Sequence, residues 1–228
     1  MTGHLVKCGM TPQESTVAKR TRGWSRRKQA RPGEILGAAL KTFAEKGFAA
    51  TRMEDIATRA GVTKGTIYLY FPSKEDVFKN LVRETMGPAL TGFEQNLHGF
   101  SGSAREMLAM MISAIADFLQ DEERAALPKI IVAESGNFPE LARFWRTEVI
   151  DRGLGMLRYV LERGIKAGEF RAVPIEHAVR LCVSPIILGV IWRTTFAPLD
   201  PQPFVFKDFI AAHIDILLHG LLPEGAKP

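Results

Sequence analysis

Apolar residues recur along most of the chain at spacings of three and four, the period of helices with one buried face. The first stripe is Ile35, Leu36, Ala39, Leu40 and Phe43. It predicts a helix over 33–46, ended by Gly47 in a left-handed cap, with Phe48 folding back on the core. The pattern then shortens. Thr51 is a candidate N-cap with Glu54 at the capping-box spacing. Ile56, Ala57 and Ala60 give the helix behind it an apolar side, Gly61 permits a sharp turn, and Val62 fills the corner. Thr63 caps a second short helix over 64–70 that stops before Pro72. Ser73 caps a third, starting at Lys74, with Asp76 three residues on. Two helices of about two turns each, joined by a short glycine-containing turn, make a helix-turn-helix.

The helix from Lys74 carries Val77, Phe78, Leu81 and Val82 and extends to about Leu97, with a kink or break predicted at Gly87-Pro88. A loop at 99–102 precedes a helix over 104–119, and another helix covers 123–134, with Pro128 in an early turn. Gly136 and Asn137 break the pattern before a long helix over 139–167. The last two helices, 175–195 and 204–221, are apolar on more faces than one thin layer hides, and Pro185 predicts a kink in the first. Pairing with their symmetry copies would bury that surface in a four-helix interface. The fold class expected is all-α: an N-terminal three-helix helix-turn-helix domain at 33–80 and a larger helical domain at 81–228. Residues 1–32, mixed Gly, Pro, Ser, Lys and Arg without apolar period, read as a flexible basic arm.

Charge sharpens this division. The net charge of +5 comes from the N-terminal part. Residues 1–34 hold eight basic and two acidic residues, 35–86 eight and six, and the remainder 14 and 17. A basic end on a neutral-to-acidic body suits a protein whose end faces nucleic acid. In the arm, Arg27 and Lys28, with Arg20, Arg22, Arg26 and Arg31 around them, are candidates for lying along phosphates or entering a minor groove. No uninterrupted run of 18 apolar residues predicts a membrane span, and the first residues lack the apolar segment of a signal peptide. Two cysteines, Cys8 and Cys182, fit a reducing compartment without a structural disulfide.

The second short helix has the make-up of a DNA reader. Ile67 and Phe71 face inward, leaving Lys64, Thr66, Tyr68, Leu69 and Tyr70 for the outer face and ends, while Gly65 lets the helix come close to a partner. Lysine donates to guanine acceptors or phosphates, threonine offers a hydroxyl or a methyl, and tyrosine hydroxyls reach backbone oxygens. By spacing alone the same segment also fits ordinary helical packing with the aromatics as core.

The run GFAATRMEDIATRAGVTKGTIYLYFPSKEDVF resembles the DNA-binding domain of the tetracycline-repressor (TetR) family. The match includes Phe43, Gly47, Phe48, Thr51, Ile56, Ala57, Ala60, Gly61, Val62, Thr63, Gly65, Tyr68, Phe71, Lys74 and Phe78, within residues 33–80. The resemblance implies a cytoplasmic, ligand-responsive repressor that binds a palindromic operator as a homodimer through its last two helices. Lys64, Gly65, Thr66, Tyr68 and Leu69 would then face base edges, and Thr51, Thr63, Tyr70 and Lys74 would position the DNA backbone. Lys74 matches a family lysine that meets a phosphate, and the helix it opens links head to body. The segment IVAESGNFPELARFWRTEVIDRG looks like the body of a subgroup tied to efflux or stress genes. A transcriptional activator of a metabolic operon uses the same parts, and a ligand-independent architectural DNA-binding protein is the other alternative.

Candidates for lining an effector pocket are the long side chains of the body: Met107, Met111, Phe118, Phe144, Trp145, Met156, Leu188 and Trp192, with Glu134 and Arg146 as polar groups. The same residues also suit plain helix packing. The expected effector is an apolar or amphipathic small molecule. No cofactor and no metal are expected: the five histidines form no close Cys/His cluster. GxSxG, HExxH and phosphate-loop patterns are missing, so no enzyme activity is expected.

Overall fold

A computed structural model of the chain describes the backbone of residues 20–223 and the side chains of residues 32–223. It is all-α among the described residues. The helices are α1 (Arg20–Lys46), α2 (Met53–Arg59), α3 (Lys64–Tyr70), α4 (Lys74–Leu97), α5 (Ala104–Phe118), α6 (Glu122–Glu134), α7 (Pro139–Trp145), α8 (Asp151–Lys166), α9 (Ile175–Ile191) and α10 (Phe206–Leu221).

These helices close over two separate cores. The head core is built on Phe43, Phe48 and Phe78, whose ring centroids lie 5.3–5.9 Å apart. Ile35, Ile56, Ile67 and Val77 surround them without exposure. It is closed on the far side by Leu127 and Ile130 of α6 and Leu141 and Trp145 of α7. The body core gathers α5, α8, α9 and α10 around Met107, Leu108, Ile112, Leu157 and Val160. Three runs of chain pass through both, among them α6, which gives Ala125 to the body and Leu127 and Ile130 to the head. α4 gives Val77, Phe78, Leu81 and Val82 to the head and Leu97 to the body. The run from α7 to α8 gives Leu141 and Trp145 to the head and Met156 and Leu157 to the body.

Three boundaries differ from the sequence pattern. α1 starts at Arg20, not at Gly33, and carries Pro32 inside it. α4 runs unbroken through Gly87-Pro88. Pro88 is exposed, and so is Glu84, whose carbonyl loses its helical N–H donor to the proline. The long helix predicted over 139–167 is continuous but holds a π turn at Arg146–Ile150, between the head-side α7 and the body-side α8. A second π turn, Trp192–Phe196, follows α9.

The turns behave as their residues predict. Gly47 and Gly61 sit at φ 77° and 65°, the left-handed region that a Cβ disfavours. Cys182 is free and buried, and its burial pushes the thiol up to about 12. Cys8 lies outside the described residues.

One packing contact in the body allows no side chain. A Cβ at Gly164 of α8 would lie 2.1 Å from the Phe170 ring and 3.0 Å from Ala104. Gly164→Ala is therefore expected to destabilise the fold by about 1–3 kcal/mol. A fall in the urea midpoint without a change in slope would show it.

Candidate nucleic-acid interface

The α2–α3 unit is set by short-range bonds. The N–H of Val62 donates to the Ala57 carbonyl at 3.0 Å, closing the turn behind Gly61. Thr63 caps α3, its hydroxyl accepting the Thr66 N–H at 3.2 Å. Ile67 is wholly buried and Phe71 nearly so, which pins one side of α3 to the head core. The other side is open. Lys64, Gly65, Tyr68 and Leu69 are exposed, Leu69 to 83%. Thr66 is half-buried, with its hydroxyl 2.9 Å from that of Thr63. A Cβ at Gly65 would meet only Thr63 Oγ1, at 3.9 Å. Nothing within the chain requires glycine there, although it costs a helix about 1 kcal/mol relative to alanine.

The cap of α2 differs from the expected one. Arg52 is the N-cap, and its backbone N–H donates to the Asp55 carboxylate at 2.9 Å. Asp55 also accepts from Lys46 at 2.8 Å, tying the end of α1 to α2. These two bonds, the lysine's first, hold the Asp55 carboxyl below its ordinary value. Arg59 pairs with Glu45 and lowers that carboxyl in the same way. Lys64 Nζ lies 2.6 Å from Glu54 Oε1, which lowers the carboxyl and raises the lysine. Arg52 is exposed with no ion pair among the described residues. Arg52 was not among the expected site residues; a basic residue directly before the first short helix is what would single it out.

Two expected backbone contacts point inward instead. Thr51 is buried to 1% exposure, and its hydroxyl donates to the Gly47 carbonyl at 2.6 Å. Lys74 uses all three of its protons within the chain. Its ammonium donates to the carbonyls of Phe48, Ala49 and Thr51 at 2.9, 3.0 and 3.2 Å and lies over the Phe48 and Phe138 rings. It fixes the loop before α2 rather than reaching outward, because three carbonyls converge there on its ammonium. Tyr70 is half-buried against the head core at the end of α3. Arg27 and Lys28 fall on α1 by backbone, and their side chains lie outside the described residues.

A partly open cavity of about 90 Å³ lies between α4, α5 and α8. Met86, Leu90 and Phe93 of α4, Met111, Ile115 and Phe118 of α5, and Gly153 and Met156 of α8 form its walls, with no polar side chain among them. Three of the expected pocket residues, Met111, Phe118 and Met156, are thus brought together; the α4 wall was not foreseen. The other five are elsewhere. Met107 is wholly buried in the body core. Phe144 and Trp145 belong to the head core, where the Arg83 guanidinium lies over Phe144. They precede the π turn, which places α7 against the head. Leu188 of α9 and Trp192, which opens the π turn after it, are 55% and 39% exposed. The two polar candidates are also engaged elsewhere: Glu134 accepts the Ala49 N–H at 3.0 Å and Arg146 donates to Asp151 at 2.5 Å.

With α3 presented by the head and an apolar cavity in the body, comparison with known proteins is direct. Residues 35–81 match the sequence model of bacterial regulatory proteins of the tetR family, and 101–204 match the tetracyclin repressor-like C-terminal domain. The fatty acid metabolism regulator protein of Bacillus subtilis is 32% identical over 146 residues, 63% of this chain and 74% of that one. The chain belongs to the TetR family of transcriptional regulators.

Other members of the TetR family agree in fold. The transcriptional regulator RutR of Escherichia coli K12 is 29% identical over 84% of this chain and 74% of its own. The crystal structure of FadR from Bacillus subtilis in complex with stearoyl-CoA has a TM-score of 0.70 at 28% identity, covering 83% of this chain and 98% of that one. The ketosteroid regulator KstR2 of Mycobacterium tuberculosis has a TM-score of 0.62 at 25% identity, covering 85% and 96%. The protein is thus a DNA-binding, ligand-responsive regulator in a family of cytoplasmic, non-catalytic proteins. No group of His, Cys, Asp or Glu that could hold a metal ion occurs among the described residues.

The placement of Lys74 separates two roles by experiment. Lys74→Met leaves three carbonyls without their donor, and a loss of about 1.5–3 kcal/mol of stability is expected. If the ammonium keeps its three carbonyls when DNA is bound, the slope of log binding constant against log salt should stay at the wild-type value. A slope shallower by one contact would return Lys74 to the DNA backbone.

Proposed function

We propose that this TetR-family regulator is a repressor whose homodimer binds a palindromic operator through α3 and leaves it when an acyl chain enters the body cavity. The observation that carries the reading is the sharing of α4. Its first turns sit in the head core through Val77, Phe78 and Leu81, and its later turns wall the cavity through Met86, Leu90 and Phe93. A ligand that moves the cavity wall therefore moves a helix that shares the head core with Ile67 and Phe71 of the α3 unit.

The cavity supports the choice of ligand. Its apolar walls suit hydrocarbon, with any polar head group left outside. At about 90 Å³ it is smaller than the roughly 300–1,000 Å³ typical of ligand sites, so a chain enters only by spreading α4 from α5 and α8. The names of the relatives favour the same class, a fatty acid metabolism regulator and a structure holding stearoyl-CoA. Control of a metabolic operon then fits better than the efflux or stress genes of the first expectation. Release of DNA requires the ligand to bind the displaced state more tightly, and DNA then weakens ligand binding by the same factor.

On α3, Lys64, Gly65, Tyr68 and Leu69 would face base edges and Arg52 the phosphates. The absence of a side chain at Gly65 lets the helix approach the groove floor. Dimerisation through α9 and α10 is supported by the apolar side chains they leave exposed, among them Leu181, Leu188 and Ile216. The stretch Ile175–Leu199 is long and apolar enough to cross a membrane by length and composition alone. Its inner face, with Val179, Cys182, Ile186 and Val190, is built into the body core, which leaves only the outer face for a second copy.

Anisotropy with the DNA upstream of the protein's own gene tests the central claim. Long-chain acyl-CoA should release the duplex from the wild type. Gly153→Phe, placed where a Cβ meets nothing within 4 Å, should fill the cavity and bind DNA without responding. Release that survives in the variant would place the effector elsewhere. Leu188→Glu should turn the dimer into monomer in sedimentation and weaken operator binding together with it; an unchanged dimer would remove α9 from the interface.

A further inference from the structure

Lys64 opens α3, at the end from which a recognition helix meets base edges. Its ammonium does not stand free, because Glu54 in the first turn of α2 holds it at 2.6 Å. The two side chains are 66% and 47% exposed, so burial does not force the pair and the core does not depend on it. A cation in the first turn of a helix is disfavoured by the helix dipole, and the carboxylate offsets that locally. The other acids of this surface have structural duties: Asp55 caps α2 and binds Lys46, and Glu45 binds Arg59. Among the described residues, Glu54 is the acid that bonds a side chain of the reading face.

An acid on that face has a consequence for DNA. Affinity for any duplex grows with the number of phosphates neutralised, independently of sequence. A carboxylate bonded to Lys64 cancels one such charge and repels the phosphates themselves. A guanine edge differs from a phosphate here. It offers two uncharged acceptors, O6 and N7, inside the groove, which can replace the carboxylate without bringing a second negative charge beside it.

We propose that Glu54 is a specificity-determining residue of operator recognition. It neutralises Lys64 on non-cognate DNA, holds its side chain in place across the α2–α3 corner, and yields it only to a base edge. The inference rests on the reading of α3 as the DNA-facing helix.

The test is a salt titration by anisotropy with the full chain, comparing the upstream duplex with a scrambled duplex of the same composition. Glu54→Gln should tighten binding to scrambled DNA roughly three- to tenfold near 0.1 M salt and steepen the salt slope by about 0.9 per protomer. Binding to the upstream duplex should gain less, so the ratio of the two constants falls. Adding Lys64→Gln to the Glu54→Gln protein should remove the gain, and Glu54→Asp, which keeps the charge, should hold the wild-type slope. An unchanged slope on scrambled DNA in Glu54→Gln, or an equal gain on both duplexes, would overturn the proposal. Wild-type protein that binds both duplexes alike would count against the operator assignment instead, and the scrambled-duplex slope would still read Glu54.

Discussion

The structure depends on one constraint: the short helices of the head cannot bury their apolar sides alone. α2 and α3 are each seven residues long, too short to be stable as isolated helices. Their order comes from Ile56, Ile67 and Phe71 packing on the Phe43–Phe48–Phe78 cluster. That cluster is in turn closed by α6 and α7, which belong to the body by chain order. The presentation of α3 is therefore a property of the whole chain. Leu127, Ile130, Leu141 and Trp145 complete the head, so the helices that carry them take part in seating α2 and α3.

Much of this was legible in the residues. Helix caps and stops announce themselves in short polar signatures, and Thr63, Ser73, Gly47 and Gly61 act as their types predict. The outward set Lys64, Tyr68 and Leu69 followed from placing Ile67 and Phe71 inward. What failed had a common cause. Periodicity shows which residues of a helix are apolar but not which core they enter. Phe144 and Trp145 were therefore grouped with Met156, although a π turn separates them and they pack on the head. Leu188 and Trp192 were grouped with them too, because periodicity does not tell an apolar residue on an exposed face from one facing a cavity.

Lys74 and Thr51 show a different limit. Both stand at positions where a polar residue could serve DNA or the chain itself. In this structure Lys74 bonds three carbonyls gathered from 48–51 and Thr51 the Gly47 carbonyl, a convergence that no local pattern reveals. The cavity's α4 wall was hidden for a related reason. Gly87-Pro88 suggested an interruption, and only an unbroken helix carries Met86, Leu90 and Phe93 along one side.

The loop before α2 is also held from the body, by Glu134 on the Ala49 N–H and by Phe138 standing edge-on to Phe48 at 4.9 Å. Together with α4 this gives the head two struts. A part fixed by one strut swings freely about it, whereas a part fixed by two moves only in step with the frame that carries both. In a symmetric pair of chains, the gap between the two reading helices is then a dimension of the frame. The spacing of half-sites that such a pair can span is written in the lengths and angles of the body helices, far from any residue that touches a base.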